Sequence, residues 1–336
     1  MASDLKIGLI GAGRHGCYLS PFMKEVGGVR LMAAADVDEG ARVKAQAECG
    51  YERVYADYGA MLKKEDLDGV IVATPHNLLR DACLAAIAAG RHVFVEKPAA
   101  MNLREGQEIV KAARAAGVRL MVGYCVRYNA VRTTMKELLA QGAAGEILAV
   151  AAGKGSHPFL GWLSDPKQGG GQMLFLGSHI IDQVLWLVGR PVESVSTIKM
   201  TLDPETDCDD TTTFSLRFAG GIVAQFIVSR KAGVSYDYVE IIGTAGRMRA
   251  EWPSMLLFAH SSALPAFGQP ATIRVLGDSH RPMYVAELAE FAAAIREGRD
   301  PAISGEDGLP TLQIIDAVFE SARTGKPVAL AAPAKT

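Results

Sequence analysis

Two short motifs, about 85 residues apart, carry residue types that could bind a dinucleotide and act on its substrate. The first is a glycine-rich segment, residues 11–16, which follows the apolar run 5–10 and reads Gly-Ala-Gly-Arg-His-Gly. Three glycines at this spacing permit a tight turn, the close approach of a pyrophosphate and a close helix–strand contact. The predicted cofactor contacts in this motif are Gly11, Gly13, Arg14, His15 and Gly16.

The second motif is Glu96-Lys97-Pro98, which follows the β-rich run 92–95. A charged pair at a buried strand end is costly unless it is partnered. The ammonium of Lys97 could bond a substrate hydroxyl or carbonyl and stabilise a developing alkoxide. Glu96 could bond the nicotinamide-side ribose or hold Lys97. The alternative is a structural ion pair at the sheet edge.

Two further strand ends complete the predicted cofactor site. Asp36 closes the second predicted strand, and no arginine follows it directly. A carboxylate there can accept both adenosine ribose hydroxyls and would repel a 2′-phosphate, which predicts NAD rather than NADP. The third strand is followed by Thr74, Pro75, His76 and Asn77. All four are predicted cofactor contacts, although His76 could instead be a solvated residue at a helix terminus.

The order of the predicted elements indicates the fold that positions these motifs. From residue 5 to 123, short apolar runs alternate with helical patterns, as in a doubly wound α/β fold with a parallel sheet. After residue 141, strand-like segments dominate, which predicts an α+β domain with a large, mostly antiparallel open sheet. We therefore expect an NAD-binding Rossmann domain in 1–123. The predicted substrate-binding and oligomerisation domain is 124–336, with a C-terminal helix that could pack back on the first domain.

Composition and charge exclude several classes of function. The chain has 336 residues, which is more than one core usually reaches, and its formal charge of −2 argues against binding to nucleic acid or an acidic membrane. The sequence contains no uninterrupted run of 18 apolar residues, so it predicts no membrane span. The five cysteines are scattered and favour reduced thiols over a disulfide framework or a metal site. A strand begins almost at once and leaves no room for a signal peptide, so we expect a cytoplasmic protein.

With these motifs the chain resembles the Gfo/Idh/MocA family, which includes glucose–fructose oxidoreductase and inositol dehydrogenases. The resemblance covers nearly the whole chain and extends to segments 123–129, 162–171, 177–182 and 240–246. It implies an NAD(P)-binding Rossmann domain and a C-terminal α/β domain whose open sheet carries the oligomer interface. It also implies sugars, cyclitols or related polyols as substrates. We therefore expect a homodimer or homotetramer that forms through the C-terminal sheet.

A helix over 178–187 would place His179, Asp182, Gln183 and Trp186 on one face. A neutral imidazole can take the proton that a hydroxyl loses as hydride leaves its carbon. The alternative is a hydrogen-bonded core histidine. The resemblance favours catalysis, because family dehydrogenases use this histidine together with the lysine and an aspartate four residues before it. In this chain that position is Phe175.

The phenylalanine leaves three interpretations. His179 could act without that partner, Asp182 or Tyr124 could assist it, or the chemistry could differ from plain alcohol oxidation; we favour the first. The predicted substrate contacts are Tyr124, Arg127, His157, Trp162, Phe175 and Asp182. Of these, Phe175 could form an apolar pocket wall, and Arg127 could bind the substrate or lock the interface between the domains.

Together these features predict an NAD-dependent oxidoreductase that takes hydride from a secondary hydroxyl of a sugar, glycoside or cyclitol. Lys97 would hold the reacting oxygen and His179 would accept its proton. Three alternatives stay open: redox-assisted elimination or glycoside cleavage with a retained cofactor, reduction of a carbonyl or dihydrodiol, and a non-catalytic NAD-binding sensor. The expected partner is a small molecule, and neither nucleic acid nor a membrane is expected.

Overall fold

The computed structural model describes residues 4–158, 161–252, 256–261, 271–274 and 281–330. The chain forms two compact units. The first unit comprises Met1–Cys125 and His280–Leu312, and the second comprises Val126–Ser279 and Gln313–Thr336. Two differences from the predicted division follow: the first segment ends two residues later than predicted, and residues 280–312 group with the first unit instead of the second.

The first unit contains a six-stranded parallel sheet in the order β3-β2-β1-β4-β5-β6. Its strands are β1 (Leu5–Ile10), β2 (Val29–Ala35), β3 (Arg53–Tyr55), β4 (Gly69–Val72), β5 (His92–Glu96) and β6 (Leu120–Gly123). Its helices are α1 (Arg14–Glu25), α2 (Glu39–Lys44), α3 (Tyr58–Lys64), α4 (His76–Ala88) and α5 (Leu103–Ala116). The doubly wound prediction is confirmed, because β4, β5 and β6 are almost wholly buried, as strands covered on both faces must be.

The segment 53–64 contains a strand and a helix that the sequence analysis did not predict. Strand β3 has three residues and α3 has seven, and both lie at one edge of the sheet. Elements this short give too little periodicity to recognise. The Asp57 carboxylate caps α3 by accepting the N–H of Ala60 at 2.7 Å, which is the signal that could have located this helix.

Helix α8 (Arg281–Glu297) belongs to the first unit. The Phe291 ring packs against Phe94 of β5, with ring centroids 5.8 Å apart. The Arg296 guanidinium donates to the carbonyl oxygens of Gly27 and Gly28, each at 2.7 Å. This helix thus covers the parallel sheet although about 160 residues separate it from β6 in sequence.

The second unit contains a nine-stranded sheet in the order β14-β13-β12-β11-β7-β10-β9-β8-β15. Its strands are β7 (Ile147–Gly155), β8 (Val192–Leu202), β9 (Asp209–Phe218), β10 (Val223–Ser229), β11 (Tyr236–Gly243), β12 (Gly246–Trp252), β13 (Leu256–Ser261), β14 (Ala271–Arg274) and β15 (Val328–Ala329). In the described part of the sheet, β7 and β10 are parallel and all the other neighbours are antiparallel. The predicted mostly antiparallel open sheet is confirmed.

Helices of the second unit lie on one face of this sheet. They are α6 (Ala130–Ala140) and α7 (Ser178–Val188), and α9 (Gly305–Thr324) crosses from the first unit to the second. Strand β10 shows the resulting alternation: Ala224, Phe226 and Val228 are buried, whereas the residues between them are exposed. Phe226 stacks on Phe214 of β9 with ring centroids 4.5 Å apart, so the apolar face forms the core.

Candidate active site

The three glycines after β1 meet three different steric demands. Gly11 has φ +92°, and a Cβ there would lie 2.7 Å from the Ala73 carbonyl oxygen. A Cβ on Gly16 would lie 2.1 Å from the Gly11 oxygen, so the helix packs directly on the turn. A Cβ on Gly13 would meet no described atom within 4 Å. The turn therefore needs glycine at two positions for packing, and at the third it leaves open space.

Helix α1 begins at this open space. Gly13 is its N-cap and has no side chain that could cap the first N–H groups of the helix. Arg14 and His15 are exposed in the first turn. A helix N-terminus that lacks a side-chain cap and carries a cation favours an anion, so this turn fits the pyrophosphate of a dinucleotide.

The two motifs that are about 85 residues apart in sequence meet in the first unit. His15 Nε2 lies 2.9 Å from Glu96 Oε1, and the Lys97 backbone N–H donates to Glu96 Oε2 at 3.2 Å. Glu96 and Lys97 are buried, with 6% and 8% exposure, and the Lys97-Pro98 peptide bond is cis. Because β1, β4 and β5 are parallel and lie side by side in that order, the glycine turn and the lysine both lie at the carboxyl ends of the strands.

The end of β2 presents Asp36 as predicted. Its Oδ1 accepts the Asp38 N–H at 2.9 Å, which fixes the carboxylate in the turn. Sequence reasoning missed Arg42, whose Nη1 donates to the carbonyl oxygens of Asp36 and Val37, each at 2.9 Å. A guanidinium thus lies beside the residue predicted to read the adenosine ribose.

The end of β4 carries the third predicted group of cofactor contacts. Among the described residues, no hydrogen-bond partner reaches the buried Thr74 Oγ1, which leaves a hydroxyl for a ligand at this strand end. Pro75 is the N-cap of α4, and Asn77 is exposed in its first turn. His76 is buried, with 4% exposure, so the solvated alternative for this histidine is wrong. The residues at this edge fit NAD.

A buried polar cluster behind Glu96 was not predicted. Cys125 and Tyr284 of α8 both lie within electrostatic range of Glu96 and of Glu287. Burial, together with the Glu287 and Glu96 carboxylates, raises the pKa of the Cys125 thiol well above its usual range, and burial and the same neighbours raise the pKa of the Tyr284 phenol. Both groups therefore stay protonated at neutral pH. The sequence pattern of α8 indicated only helical spacing.

In the second unit, one helical segment carries both His179 and Phe175. It runs from residue 171 to 188, and its residues Met173–Gly177 form a π turn before α7 begins at Ser178. The Ser178 hydroxyl donates to the Leu174 carbonyl oxygen at 2.6 Å, inside this wider turn. Because a π turn holds more residues than an α turn, Phe175 is rotated relative to His179 from the position that α-helical spacing predicts.

Accessibility singles out the same two residues. Between residues 171 and 184, Phe175 and His179 are partly accessible, and the other twelve residues are buried. A side chain that opens to solvent from an otherwise buried helix lines a recess or a surface. Residues 171–184 of the segment therefore present one imidazole and one phenyl ring.

Arg127 and Asp182 contact each other. Arg127 Nη2 lies 2.6 Å from Asp182 Oδ1, and Arg127 Nε lies 3.0 Å from Oδ2, which is a two-pronged ion pair. The Asp182 side chain is 1% exposed. The Asp182 carboxylate is enclosed, and both of its oxygens bond the Arg127 guanidinium. The pair therefore gives both residues a structural role, and their contacts with substrate stay a prediction.

The C-terminal end of α7 is also fixed. Lys136 of α6 donates from Nζ to the Trp186 carbonyl oxygen at 2.6 Å, and Gly189 ends the helix in the left-handed region. Burial lowers the pKa of Lys136, and Arg127 lowers it further. The helix that carries His179 is thus held at its end as well as at Asp182.

The other predicted substrate contacts lie elsewhere in the two units. Tyr124 follows β6 in the first unit and is buried. His157 is exposed after β7, and Trp162 is partly exposed in the 3-10 turn Gly161–Ser164. In the described ranges there is no cluster of three or more side chains suited to a metal, and no helix long and apolar enough to cross a membrane.

A parallel sheet with an open glycine turn at the carboxyl end of one strand and a buried lysine at the carboxyl end of another is typical of one class of protein, the dinucleotide-dependent oxidoreductases. Comparison with known proteins gives the family. Residues 5–124 match the family model described as "Oxidoreductase family, NAD-binding Rossmann fold", and residues 136–330 match "Oxidoreductase family, C-terminal alpha/beta domain". The chain belongs to the Gfo/Idh/MocA oxidoreductase family. It is an NAD-binding oxidoreductase.

Individual relatives agree with this assignment. The chain is 27% identical to myo-inositol 2-dehydrogenase of Thermotoga maritima over 315 residues, which cover 92% of this chain and 93% of the relative. It is 30% identical to 1,5-anhydro-D-fructose reductase of Ensifer adhaerens over 310 residues, which cover 89% and 90%. A levoglucosan dehydrogenase solved with NADH and levoglucosan shares the fold, with a TM-score of 0.91, 24% identity and coverage of 97% and 99%.

Proposed function

We propose that this protein oxidises a secondary hydroxyl of a sugar, glycoside or cyclitol with NAD as the hydride acceptor. The contact between His15 and Glu96 carries the proposal, because it joins the glycine turn to the segment that bears Lys97. When bound, NAD supplies the redox chemistry by accepting hydride at its nicotinamide. The residues that would hold it are the glycine turn, Asp36, Thr74 and Glu96.

Lys97 is proposed to hold the reacting oxygen. Its side chain belongs to a residue that is 8% exposed, and an ammonium in such a dry environment interacts with an alkoxide more strongly than it would in water. Donation of a hydrogen bond to the substrate hydroxyl lowers the cost of the negative charge that develops when the hydroxyl proton leaves.

His179 is proposed to accept that proton. Its partial exposure in a buried segment supports this role, since a general base must reach its substrate. Arg127 already binds both oxygens of Asp182, which supports the interpretation that His179 acts without a carboxylate partner. Phe175 would then add an apolar wall, which favours a substrate larger or less hydroxylated than inositol.

The test is absorbance at 340 nm during incubation of the purified protein with NAD and a panel of polyols, aldoses and glycosides. A rise with one compound supports the proposal and identifies the substrate class. No rise with any compound, in a protein that binds NAD, contradicts it. The same panel run in reverse, with NADH and carbonyl compounds, tests the physiological direction.

A second candidate function rests on Phe175. Transient oxidation next to a labile centre makes a neighbouring C–H bond acidic and permits elimination, as in redox-assisted cleavage of glycosides with a retained cofactor. Family dehydrogenases are expected to use an aspartate at this position, and its replacement by Phe175 is the observation behind this second candidate. Altered glycosides without net formation of NADH, in a protein that retains its cofactor through purification, would support this candidate.

We also propose that the nine-stranded sheet mediates a homodimer or homotetramer. On the face opposite α6 and α7, β10 presents Val223 and Ile227, and β11, which is separated from β10 by β7, presents Ile242. These side chains are 38%, 46% and 43% exposed. A cluster of exposed apolar side chains on a sheet is typical of a protein interface. Ile227→Lys should lower the mass measured by light scattering, whereas Val234→Lys, in the loop after β10, should not.

A further inference from the structure

Asp209 connects the sheet of the second unit to the helical segment of His179. It is the first residue of β9 and is 2% exposed. Its Oδ2 accepts the backbone N–H of Met173 at 3.0 Å, and Met173 begins the π turn. The carboxylate therefore takes one of the N–H groups that a helix leaves unbonded at its start.

The backbone before the π turn is shaped to admit this carboxylate. Gly171 has φ +82°, and a Cβ there would lie 2.0 Å from Asp209 Oδ1, so only glycine permits the approach. The next residue, Gln172, is fully buried, and its Nε2 donates to the Val228 carbonyl oxygen of β10 at 2.9 Å. The adjacent residues Gln172 and Met173 thus bond the start of the segment to β10 and β9.

The hydrogen bond between Asp209 and Met173, which we call the anchor, lies at the start of the helical segment. The segment is helical without a break from residue 171 to 188, so a shift of its first turn is carried to the turns that follow. Phe175 lies two residues after Met173, inside the π turn, and His179 lies in the first turn of α7. Of the four partly accessible side chains in residues 171–188, Phe175 and His179 are therefore the two nearest to the anchor, and Leu185 and Trp186 lie farther along the helix.

We propose that Asp209 is a positioning residue that fixes the direction of His179 and Phe175 by holding the first turn of their helical segment. The proposal rests on the proposed function, because it assigns to Asp209 the orientation of the histidine that accepts the proton. Displacing a catalytic group by about 1 Å costs roughly 100-fold in rate, so a loosened anchor should be visible in turnover.

The electrostatic surroundings give the anchor a second property. Burial raises the pKa of Asp209 to about 7, while hydrogen bonds from Met173 and Gln172 and the charge of Arg230 oppose the rise. The charged and titratable neighbours from the packed elements are Cys208, Asp210, Arg230, Lys231, Asp203 and Asp165. Residues 171–178 of the helical segment contain no ionisable side chain. The protonation of Asp209 therefore changes in the neutral range.

The experiment compares Asp209→Ala, Asp209→Asn and the control Asp207→Asn in the full-length protein. Asp207 is exposed, and the control substitution removes the same charge two residues away from Asp209. The readouts are amide hydrogen exchange of residues 172–178, the dissociation constant for NAD, and kcat and KM as a function of pH with the substrate found by the panel. NAD affinity serves as the control for the first unit, which should be unaffected by all three variants.

We expect Asp209→Ala to speed exchange in 172–178 roughly tenfold and to lower kcat roughly 10- to 100-fold, with NAD affinity unchanged. Asp209→Asn keeps an acceptor for the Met173 N–H, so it should restore most of the exchange protection and of kcat. It should also abolish the part of the change in kcat between pH 6 and 8 that Asp209 contributes.

Turnover by Asp209→Ala equal to that of Asp207→Asn would overturn the proposal, even if exchange were faster, because the contact would then be structural only. His179→Asn separates this failure from failure of the proposed function. If His179→Asn is inactive, only the role of Asp209 is rejected. If His179→Asn keeps full turnover, the assignment of His179 itself is wrong.

Discussion

Arg127 and Asp182 hold each other through two hydrogen bonds of 2.6 and 3.0 Å, although 55 residues separate them in the chain. Both were predicted to contact substrate, and the structure shows that they also pair with each other. Asp182 lies on the helix of His179, so the pair fixes that helix between the Asp209 contact and the Lys136 cap.

Removal of one partner should therefore destabilise the second unit. Arg127→Met deprives the buried Asp182 carboxylate of its two-pronged partner, and the free energy of unfolding should fall by about 3 kcal/mol. Arg119→Met is the control, since its partner Asp300 is 80% exposed and such surface pairs contribute about 1 kcal/mol or less. Denaturant unfolding measures both. Equal losses in the two variants would contradict the structural role of the buried pair.

The glycine turn predicts opposite outcomes for two small substitutions. A Cβ at Gly13 meets no described atom, and its φ of −65° suits alanine, so Gly13→Ala should leave the melting temperature unchanged. It should still weaken NAD binding roughly 10- to 100-fold, because the methyl group occupies the space meant for the pyrophosphate. Gly16→Ala would place a Cβ 2.1 Å from the Gly11 carbonyl oxygen and should therefore destabilise the first unit. Calorimetry and NAD titration distinguish the two effects.

Lys97→Met should separate turnover from cofactor binding. The methionine has similar length but no charge, so it keeps the packing and removes the hydrogen bond to the reacting oxygen. We expect kcat to fall roughly 10²- to 10⁴-fold while the dissociation constant for NAD changes less than about threefold. Lys199→Met, at an exposed position in β8, is the control. Near-normal turnover by Lys97→Met would refute its catalytic assignment.

Asp36 and Arg42 should set the choice between NAD and NADP. Asp36→Ala removes the carboxylate that would repel a 2′-phosphate and leaves the Arg42 guanidinium beside the same turn. The affinity for NADP relative to NAD should rise roughly 10- to 100-fold. The double variant with Arg42→Ala should lose most of that gain. Asp38→Ala removes a nearby charge from the cap of α2 and should not change the ratio. Fluorescence titration with both cofactors measures this ratio of affinities for each variant.

Asp209 should make stability depend on pH. Its pKa is raised from 3.8 to about 7 in the folded protein, so the folded state holds a proton that the unfolded state has lost between these values. Its contribution to stability is therefore complete below pH 4 and is lost as pH rises through 7. Between pH 5 and 7, Asp209→Asn should gain about 3 kcal/mol relative to the parent protein. A constant difference across that range in denaturant unfolding would contradict the raised pKa.

Several elements could be predicted from the sequence because their signals are local. Strand β1 and the glycine turn occupy consecutive residues. The predicted run 5–10 has the bounds of β1, and the predicted run 92–95 matches β5 to within one residue. The hairpin between β9 and β10 also follows from neighbouring residues, since Gly220 and Gly221 both have φ above +80°. The prediction at α7 was less complete: it located the helix of His179 but not the π turn before it.

The sequence by itself determined the class of fold, the dinucleotide motif and the residue types available for chemistry. Only the tertiary structure decided which charged groups pair, that Asp182 binds Arg127, and that Asp209 reaches Met173. The physical reason is the separation along the chain between the residues that interact. Turns and hydrophobic periodicity depend on residues a few positions apart, whereas the partner of a buried charge comes from a distant segment and is selected by the packing of the whole unit.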